Sequence, residues 1–384
     1  MTILQIIFWI LAGVVFYVYF GYPAILMLAA KLNSIEQGVN NSFVPSVTLV
    51  IAAYNEEKVM KKKIENTLAI DYPEDKLEII VASDASIDRT NEIVKEYEKS
   101  FPQIMLNAQV QRRGKSAALN HTVLNIAKGE IIIFTDATTF LPPDAVKKLI
   151  RHFADKKIGA VCGKIFFNNP GDFSISQNES LYWRYEEFLR KKESAIGVLP
   201  FVSGAFYGLR KELYSQAAEG LPDDSVSPLG VYKQGYRVVY EPEAVANEQM
   251  PTTKEAEFRI KSRGVIRELG AILSVRELLN PFKYPVLSWV IVSHRLLRWS
   301  AGFFLLGIFI LSLFLSGSYF YRFIFCSQIA FYTLALSGYV FEKRLFNYRV
   351  FSLPFYFCLV NIAAMWGIIL CALGKKKPVW EPVR

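Results

Sequence analysis

The chain has 384 residues, 52% of them hydrophobic, a mean hydropathy of +0.23 and a formal net charge of +9. That length allows one domain with a large core plus further elements, and the hydropathy is high for a freely soluble enzyme. The positive excess gathers beside apolar segments (Arg295 and Arg298, Lys343 and Arg344, Lys375 to Lys377) with no basic helix or aromatic–basic platform, which argues for a membrane rim and against nucleic-acid binding.

The four cysteines (Cys162, Cys326, Cys358, Cys371) have no metal-ligand spacing, and His121, His152 and His294 form no metal set, so neither a disulfide framework nor a zinc site is expected. Residues 3–30 hold no charged side chain, and a hydrocarbon core needs roughly 20 apolar residues to be crossed as a helix. The basic start of a signal peptide is missing, so residues 1–32 are read as a retained anchor. Residues 43–270 have ordinary globular composition. Residues 271–299 are expected to be interfacial, because His294, Arg295 and Arg298 interrupt "PVLSWVIVSHRLLRW" while Trp289 and Trp299 suit a headgroup level. Residues 300–374 hold about three spans, starting with Ser300 to Ser316, and residues 375–384 form a basic tail. A cytoplasmic domain followed by three spans would put "GKKKP" outside, against the positive-inside tendency, unless one stretch is re-entrant.

Within the soluble region, "SVTLVIAAYNEE" reads as a short apolar strand ending in polar residues, followed by a helix through "KVMKKKIENTLAI". A second strand, "LEIIVASDAS", leads into the helix "IDRTNEIVKEYEKSF". "GKSAALNHTVLNIAKG" is a helix with a basic start, and it leads into the strand "IIIFTDATTF". This alternation predicts an α/β domain with a mostly parallel sheet, whose ligands bind at the carboxyl ends of the strands. Three successive strands end in polar clusters there, and together they make a rim.

Each residue on that rim has a bland alternative. Asp136 could cap the element after it, although the helix in "LPPDAVKKLI" carries its own acid, Asp144. Asp84 could cap a helix near Ser86 or accept hydrogen bonds from a base or ribose. Asn55 and Glu56 could contact a nucleotide or close a turn. In "RRGKSAALN", Arg113 and Lys115 flank a glycine at a helix start whose dipole favours anions, so a diphosphate site competes with a solvated loop. Asp136 would then share a divalent cation with that diphosphate, since Mg²⁺ or Mn²⁺ needs only one or two protein carboxylates when phosphates complete the shell. "FVSGAFYGLRKEL" is a small-residue turn where Gly204 and Ala205 let a substrate or another strand pass closely. "PDD" opens a helix with two neighbouring acids, either caps or a general base.

Taken in order, these motifs resemble family 2 glycosyltransferases of the GT-A fold, specifically the membrane-embedded group of hyaluronan, chitin and cellulose synthases. The resemblance runs from about Val47 to Arg267. It implies a Rossmann-like GT-A domain inserted between transmembrane helices, cytoplasmic at the plasma membrane. "AAYNEE" (Ala53, Tyr54, Asn55, Glu56) looks like the opening nucleotide-binding motif. "SDASIDRT" makes Asp84 a uridine-side contact, and "RGKSAALN" resembles the loop facing the donor diphosphate. "TDAT" stands in the place of the Asp-x-Asp metal motif, which implies Asp136 as ligand and Thr138 as a weaker one. "SGAFYGLRKEL" resembles the acceptor-lining segment, with Ser203, Gly204 and Ala205. "PDDSVSPL" implies Asp224 as catalytic base beside Asp223. The Gln-x-x-Arg-Trp motif of processive members is replaced by "IKSRG": Arg263, with Arg267, could still hold the diphosphate, but Ile260 and Gly264 replace the Gln and the acceptor-stacking Trp. The resemblance implies inverting transfer from a nucleotide sugar, with UDP favoured, onto a polysaccharide at the bilayer, or onto a lipid such as a polyprenyl phosphate.

Overall fold

The structure is a computed structural model that describes residues 1–35, 38–167, 174–248, 253–345 and 348–374. The basic tail, with its lysines 375–377, lies outside the described residues. The chain starts with α1 (Ile3–Phe16) and α2 (Tyr22–Leu32), continuous through the π-helical turn Tyr17–Gly21. Together they form a 30-residue apolar helix, long enough to cross a membrane.

The domain then alternates strand and helix: β1 (Val47–Ala53), α3 (Glu57–Leu68), β2 (Leu77–Ser83), α4 (Thr90–Glu98) and β3 (Ile104–Ala108). It continues with α5 (Lys115–Asn125), β4 (Ile131–Asp136), α6 (Ala145–Ile150), β5 (Ile158–Phe167) and α7 (Ser174–Ala195). Last come β6 (Phe206–Arg210), α8 (Asp223–Lys233), β7 (Arg237–Glu248) and α9 (Lys254–Ser274). The seven strands form one sheet in the order β3-β2-β1-β4-β6-β5-β7. Only β6 runs antiparallel to its neighbours. Every residue of β1 is buried, as is all of β4 except its terminal Asp136. That is why these strands read as unbroken apolar runs: helices cover both faces of such a sheet. One core layer holds Val50, Ile80, Leu119 and Phe134, and the other holds Leu49, Ile64, Ile79 and Ile133.

Beyond the domain lie α10 (Pro285–Val290), the π-helical stretch Ile291–Leu297, α11 (Ala301–Phe314), α12 (Tyr319–Val340), the short α13 (Glu342–Leu345) and α14 (Arg349–Ala372). Among the described residues, α12 and α14 join the N-terminal helix as elements long and apolar enough to cross a membrane. The stretch Ser300 to Ser316, read from sequence as a span, contains a helix of only 14 residues. It makes a span only together with the preceding Pro285–Leu297, from which it is bent by 56°. The C-terminal part of the expected interfacial segment, Pro285–Leu297, is thus one half of a candidate broken span or re-entrant loop. Phe8 packs with Ile308 and Tyr321 at one end of the bundle. At the other end α12 returns to the domain, where Lys254 Nζ lies 4.1 Å from the centre of the Tyr339 ring. Instead of only pointing away, α14 lies along α9. The Tyr356 hydroxyl donates to Glu257 at 2.9 Å, and Gly367 abuts the backbone of Ser262 and the side chain of Val265.

The two π-helical turns meet. Tyr17 and Ser293 share a hydroxyl hydrogen bond of 2.7 Å, and the Trp289 indole donates to Tyr17 at 2.8 Å. Below them His294 bridges Glu193 (2.5 Å) and Glu186 (3.3 Å), while the Tyr22 hydroxyl donates to Glu193 at 2.6 Å. Buried carboxylates persist only when paired, and this network fastens the membrane helices to α7.

Candidate active site

The carboxyl ends of β1, β2 and β4 lie side by side, and their loops are cross-tied. The Asn55 amide donates to Ser86 Oγ at 3.1 Å, the Ile87 amide donates to Asn55 Oδ1 at 2.9 Å, and the Glu56 amide donates to Thr90 Oγ1 at 2.8 Å. Asn55 (φ 53°) and Ala85 (φ 56°) both occupy the left-handed region, which is strained for alanine. Asp88, not Asp84, serves the start of α4: the Thr90 amide donates to its Oδ1 at 3.0 Å.

Asp84 is instead buried, and its two oxygens accept the backbone amides of Arg113 and Gly114, each at 2.9 Å. The end of β2 therefore clamps the basic loop. The Arg113 side chain turns outward, its Nε 2.6 Å from Glu219. The cation over the first motif is Arg112, whose guanidinium stacks 3.8 Å from the centre of the Tyr54 ring. Ala53 is the buried last residue of β1 and carries these loops.

Asp136 does not cap α6; Asp144 occupies that position. Lys115, buried at the start of α5, donates to Asp136 Oδ1 at 2.6 Å and to the Gly204 carbonyl at 3.2 Å. One ammonium thus joins the end of β4 to the turn Ser203–Ala205. Carboxylates around it hold Lys115 above the ordinary lysine range despite burial.

Thr138 is exposed past the strand end. The second acid near Asp136 comes from β7: Asn247 pairs with Phe140 across an antiparallel bridge, bringing Glu248 close enough for the two charges to oppose. Burial first, then Asp136, pushes the Glu248 carboxyl up to about 7. Lys63, fully buried, donates to Thr135 Oγ1 at 3.0 Å and to the Thr139 carbonyl, and burial lowers it to about 7. Sequence reading missed both Glu248 and Lys63, since "NEQMP" and "KKKIEN" carry no distinguishing signal. Among the described residues no cluster of three or more His, Cys, Asp or Glu could hold a metal alone. Two carboxylates competing for charge at a strand end do fit a divalent cation whose remaining ligands are phosphate and water.

The acids opening α8 are separated by their surroundings. Asp223 is buried and accepts the Tyr207 hydroxyl at 2.9 Å. Asp224 faces the turn instead, where a Cβ on Gly204 would run into its carboxylate, so glycine is required for that close approach. The Val202 amide donates to the Asp224 carbonyl at 3.2 Å. Burial, then Asp223, pushes Asp224 up to about 7, with Arg267 and Lys115 pulling the other way. Arg263 lies one helical turn before Arg267 on the same face of α9. All six motif segments therefore lie side by side at the carboxyl end of the sheet.

A mostly parallel sheet with helices on both faces, an acid-tipped central strand and a lysine bridge beside it has the layout of the GT-A fold. The model of glycosyl transferase family 2 matches residues 48–217, and the chain carries a family 2 glycosyltransferase domain. A probable glycosyltransferase, YdaM, of Bacillus subtilis is 28% identical over 236 residues, 58% of this chain and 55% of that protein. The poly-β-1,6-N-acetyl-D-glucosamine synthase of Staphylococcus aureus is 26% identical over 252 residues, 64% of this chain and 58% of that protein. The chain thus spans a little over half the length of these curated relatives. Among solved structures, the mannosyltransferase PcManGT from Pyrobaculum calidifontis, in complex with GDP-Man and Mn²⁺, superposes with a TM-score of 0.73 at 21% identity, over 97% of this chain and all of that one. That likeness is one of fold.

Proposed function

We propose that the protein transfers a sugar from a nucleotide-sugar donor, UDP-linked in the first instance, to a growing cell-surface polysaccharide with inversion at the anomeric carbon. The observation that carries this reading is the placement of Asp224: poised near neutrality, it faces the turn whose carbonyl receives Lys115. In the proposed step Asp224 takes the proton of an acceptor hydroxyl. The hydroxyl oxygen bonds to the anomeric carbon as the bond to the diphosphate oxygen breaks, and the nucleoside diphosphate leaves. Lys115, Arg263 and Arg267 offset the charge growing on that diphosphate. Asp136 and Glu248 would hold a Mg²⁺ or Mn²⁺ ion, which supplies further charge neutralisation there when bound. The Staphylococcus relative, named as a polysaccharide synthase, supports the acceptor class, and the apolar helices support an integral membrane protein; a nucleotide-sugar donor would place the domain on the cytoplasmic face.

Gly264, where processive members carry tryptophan, favours a second reading: transfer of one sugar to a membrane lipid. The test supplies membranes with radiolabelled UDP-N-acetylglucosamine, UDP-glucose or GDP-mannose and Mn²⁺ or Mg²⁺, with Asp224→Asn as control. Label in large water-soluble material is expected. Label in the organic phase would establish the lipid reading, and unchanged transfer by Asp224→Asn would overturn the base assignment.

A further inference from the structure

Helix α3 presents two polar side chains, Lys63 and Asn66, one helical turn apart on the same face, to the end of β4 and the segment after it. Asn66 grips the backbone of Leu141 in both directions: its Nδ2 donates to the Leu141 carbonyl at 2.8 Å, and its Oδ1 accepts the Leu141 amide at 2.9 Å. Lys63 is fully buried, and its ammonium donates to Thr135 Oγ1 at 3.0 Å and to the Thr139 carbonyl. Thr135 precedes Asp136 and Thr139 lies beyond it, so one side chain holds both arms of the turn that presents Asp136. The Thr139 amide closes this turn on the Asp136 carbonyl at 3.2 Å. From the other side β7 holds it, where Phe140 and Asn247 exchange amide–carbonyl bonds of 2.8 Å.

A lysine is an expensive choice for this position, because a buried ammonium loses its hydration. Met60 and Ile64 on the same helix already anchor α3 in the core by packing. Asp136 and Glu248 are close enough for their charges to act on Lys63, yet its hydrogen bonds go to a hydroxyl and a carbonyl. Lys115 is the cation that pairs with the Asp136 carboxylate. The two lysines therefore divide the work: Lys115 takes the carboxylate, and Lys63 takes the chain on either side of it.

We propose that Lys63 is a positioning residue for the cation site, fixing the turn from Thr135 to Thr139 so that Asp136 meets a nucleotide-bound Mn²⁺ or Mg²⁺ in one orientation. The inference rests on the transferase reading and adds to it a residue that acts only through the turn. Without the ammonium, the carbonyl of the wholly buried Thr139 loses its donor. Buried carbonyls are rarely left unpaired, so the turn has to shift until this one finds another partner. Charge and tether predict opposite signs. An ammonium acting through charge alone repels a divalent cation, and its removal would tighten binding. An ammonium acting as a tether holds the ligand in place, and its removal weakens binding.

The full chain in nanodiscs is titrated with Mn²⁺ in the presence of UDP, or of GDP if UDP does not bind. Free Mn²⁺ is read by electron paramagnetic resonance, and the melting temperature is recorded alongside. Lys63→Met should weaken Mn²⁺ binding roughly tenfold or more, as the loss of a support behind a metal ligand does. Met60→Ala truncates a core residue one turn earlier on α3, and should lower the melting temperature while leaving the Mn²⁺ affinity near that of the parent. Thr135→Val removes the hydroxyl that Lys63 holds and keeps the branched shape, so it should weaken Mn²⁺ about threefold. Combined with Lys63→Met it should add nothing, because the two changes break one contact. If Lys63→Met does not fold, Thr135→Val decides, and parental affinity there overturns the proposal. Parental or tighter binding by a folded Lys63→Met overturns it as well. So does equal weakening by Met60→Ala, which would reduce Lys63 to one more core residue. A parent protein that binds neither UDP nor GDP would defeat the transferase reading. The same variants are then compared with Mn²⁺ alone, and a parent that binds no Mn²⁺ overturns the proposal too.

Discussion

Lys115 and Asp136 form a buried ion pair of 2.6 Å that closes the crevice between α5 and β4, and the same ammonium reaches the carbonyl of Gly204. The end of β4 and the turn Ser203–Ala205 are thereby tied through one side chain. Removing one partner of a buried pair costs about 3–5 kcal/mol because the other charge is left uncompensated. Lys115→Met is expected to lower the melting temperature and to weaken Mn²⁺–UDP binding roughly tenfold or more. Thermal denaturation and calorimetry check the two effects separately.

As the proposed base, Asp224 would have to be ionised to accept a proton, and its carboxyl is raised to about 7. Transfer rate should therefore climb with pH through neutrality, since at pH 6 only about a tenth of the base is ionised. Asp223 is the second cause of that rise, after burial, so Asp223→Asn should move the climbing limb to lower pH. A pH–rate profile of both proteins tests this. Asp224→Asn itself should lose about 10²–10⁴-fold in rate.

Gly204→Ala places a methyl group against the Asp224 carboxylate. That short side chain has to rotate away, so turnover should drop by about 10²-fold, as expected for a misplaced catalytic group. Stability should hardly change, since the displaced atoms are the tip of one side chain. A normal turnover number would mean that Asp224 works from another position.

Glu248→Gln should weaken Mn²⁺ binding in the presence of UDP by roughly tenfold, because it removes one of two carboxylates. Electron paramagnetic resonance of free and bound Mn²⁺ measures this without relying on turnover. Thr138→Ala is expected to leave the affinity nearly unaltered, since that side chain is exposed.

Ala85 holds φ at 56° on the rim, where a β-carbon is strained by about 1–2 kcal/mol. Glycine relieves this strain at an entropic cost of about 0.4–1 kcal/mol in the unfolded chain. Ala85→Gly should thus stabilise the domain by about 1 kcal/mol or less, readable as a small rise in melting temperature.

The amino-acid sequence by itself determined the layered α/β domain, its first strands and the rim that carries the chemistry. Strands buried on both faces must be apolar along their length, so β1 and β4 announce themselves, and their polar ends mark the ligand edge. Asp136 was legible for that reason, Lys115 from the glycine at a helix start, and Asp224 from two adjacent acids opening a helix. Tertiary structure alone decided which neighbours they keep. Glu248 comes near enough to Asp136 for their charges to oppose through the pairing of Asn247 with Phe140, a contact between distant segments that no local pattern encodes. Asp84 and Arg113 were placed on the right loops, but packing directs Asp84 to backbone amides and turns Arg113 to Glu219. The apolar stretch at Ser300 to Ser316 satisfied a composition rule, yet its helix ends after 14 residues, and only its join with Pro285–Leu297 reveals the break. Composition reports where a segment prefers to be; the direction of a side chain and the partner of a charge depend on what the rest of the chain packs against it.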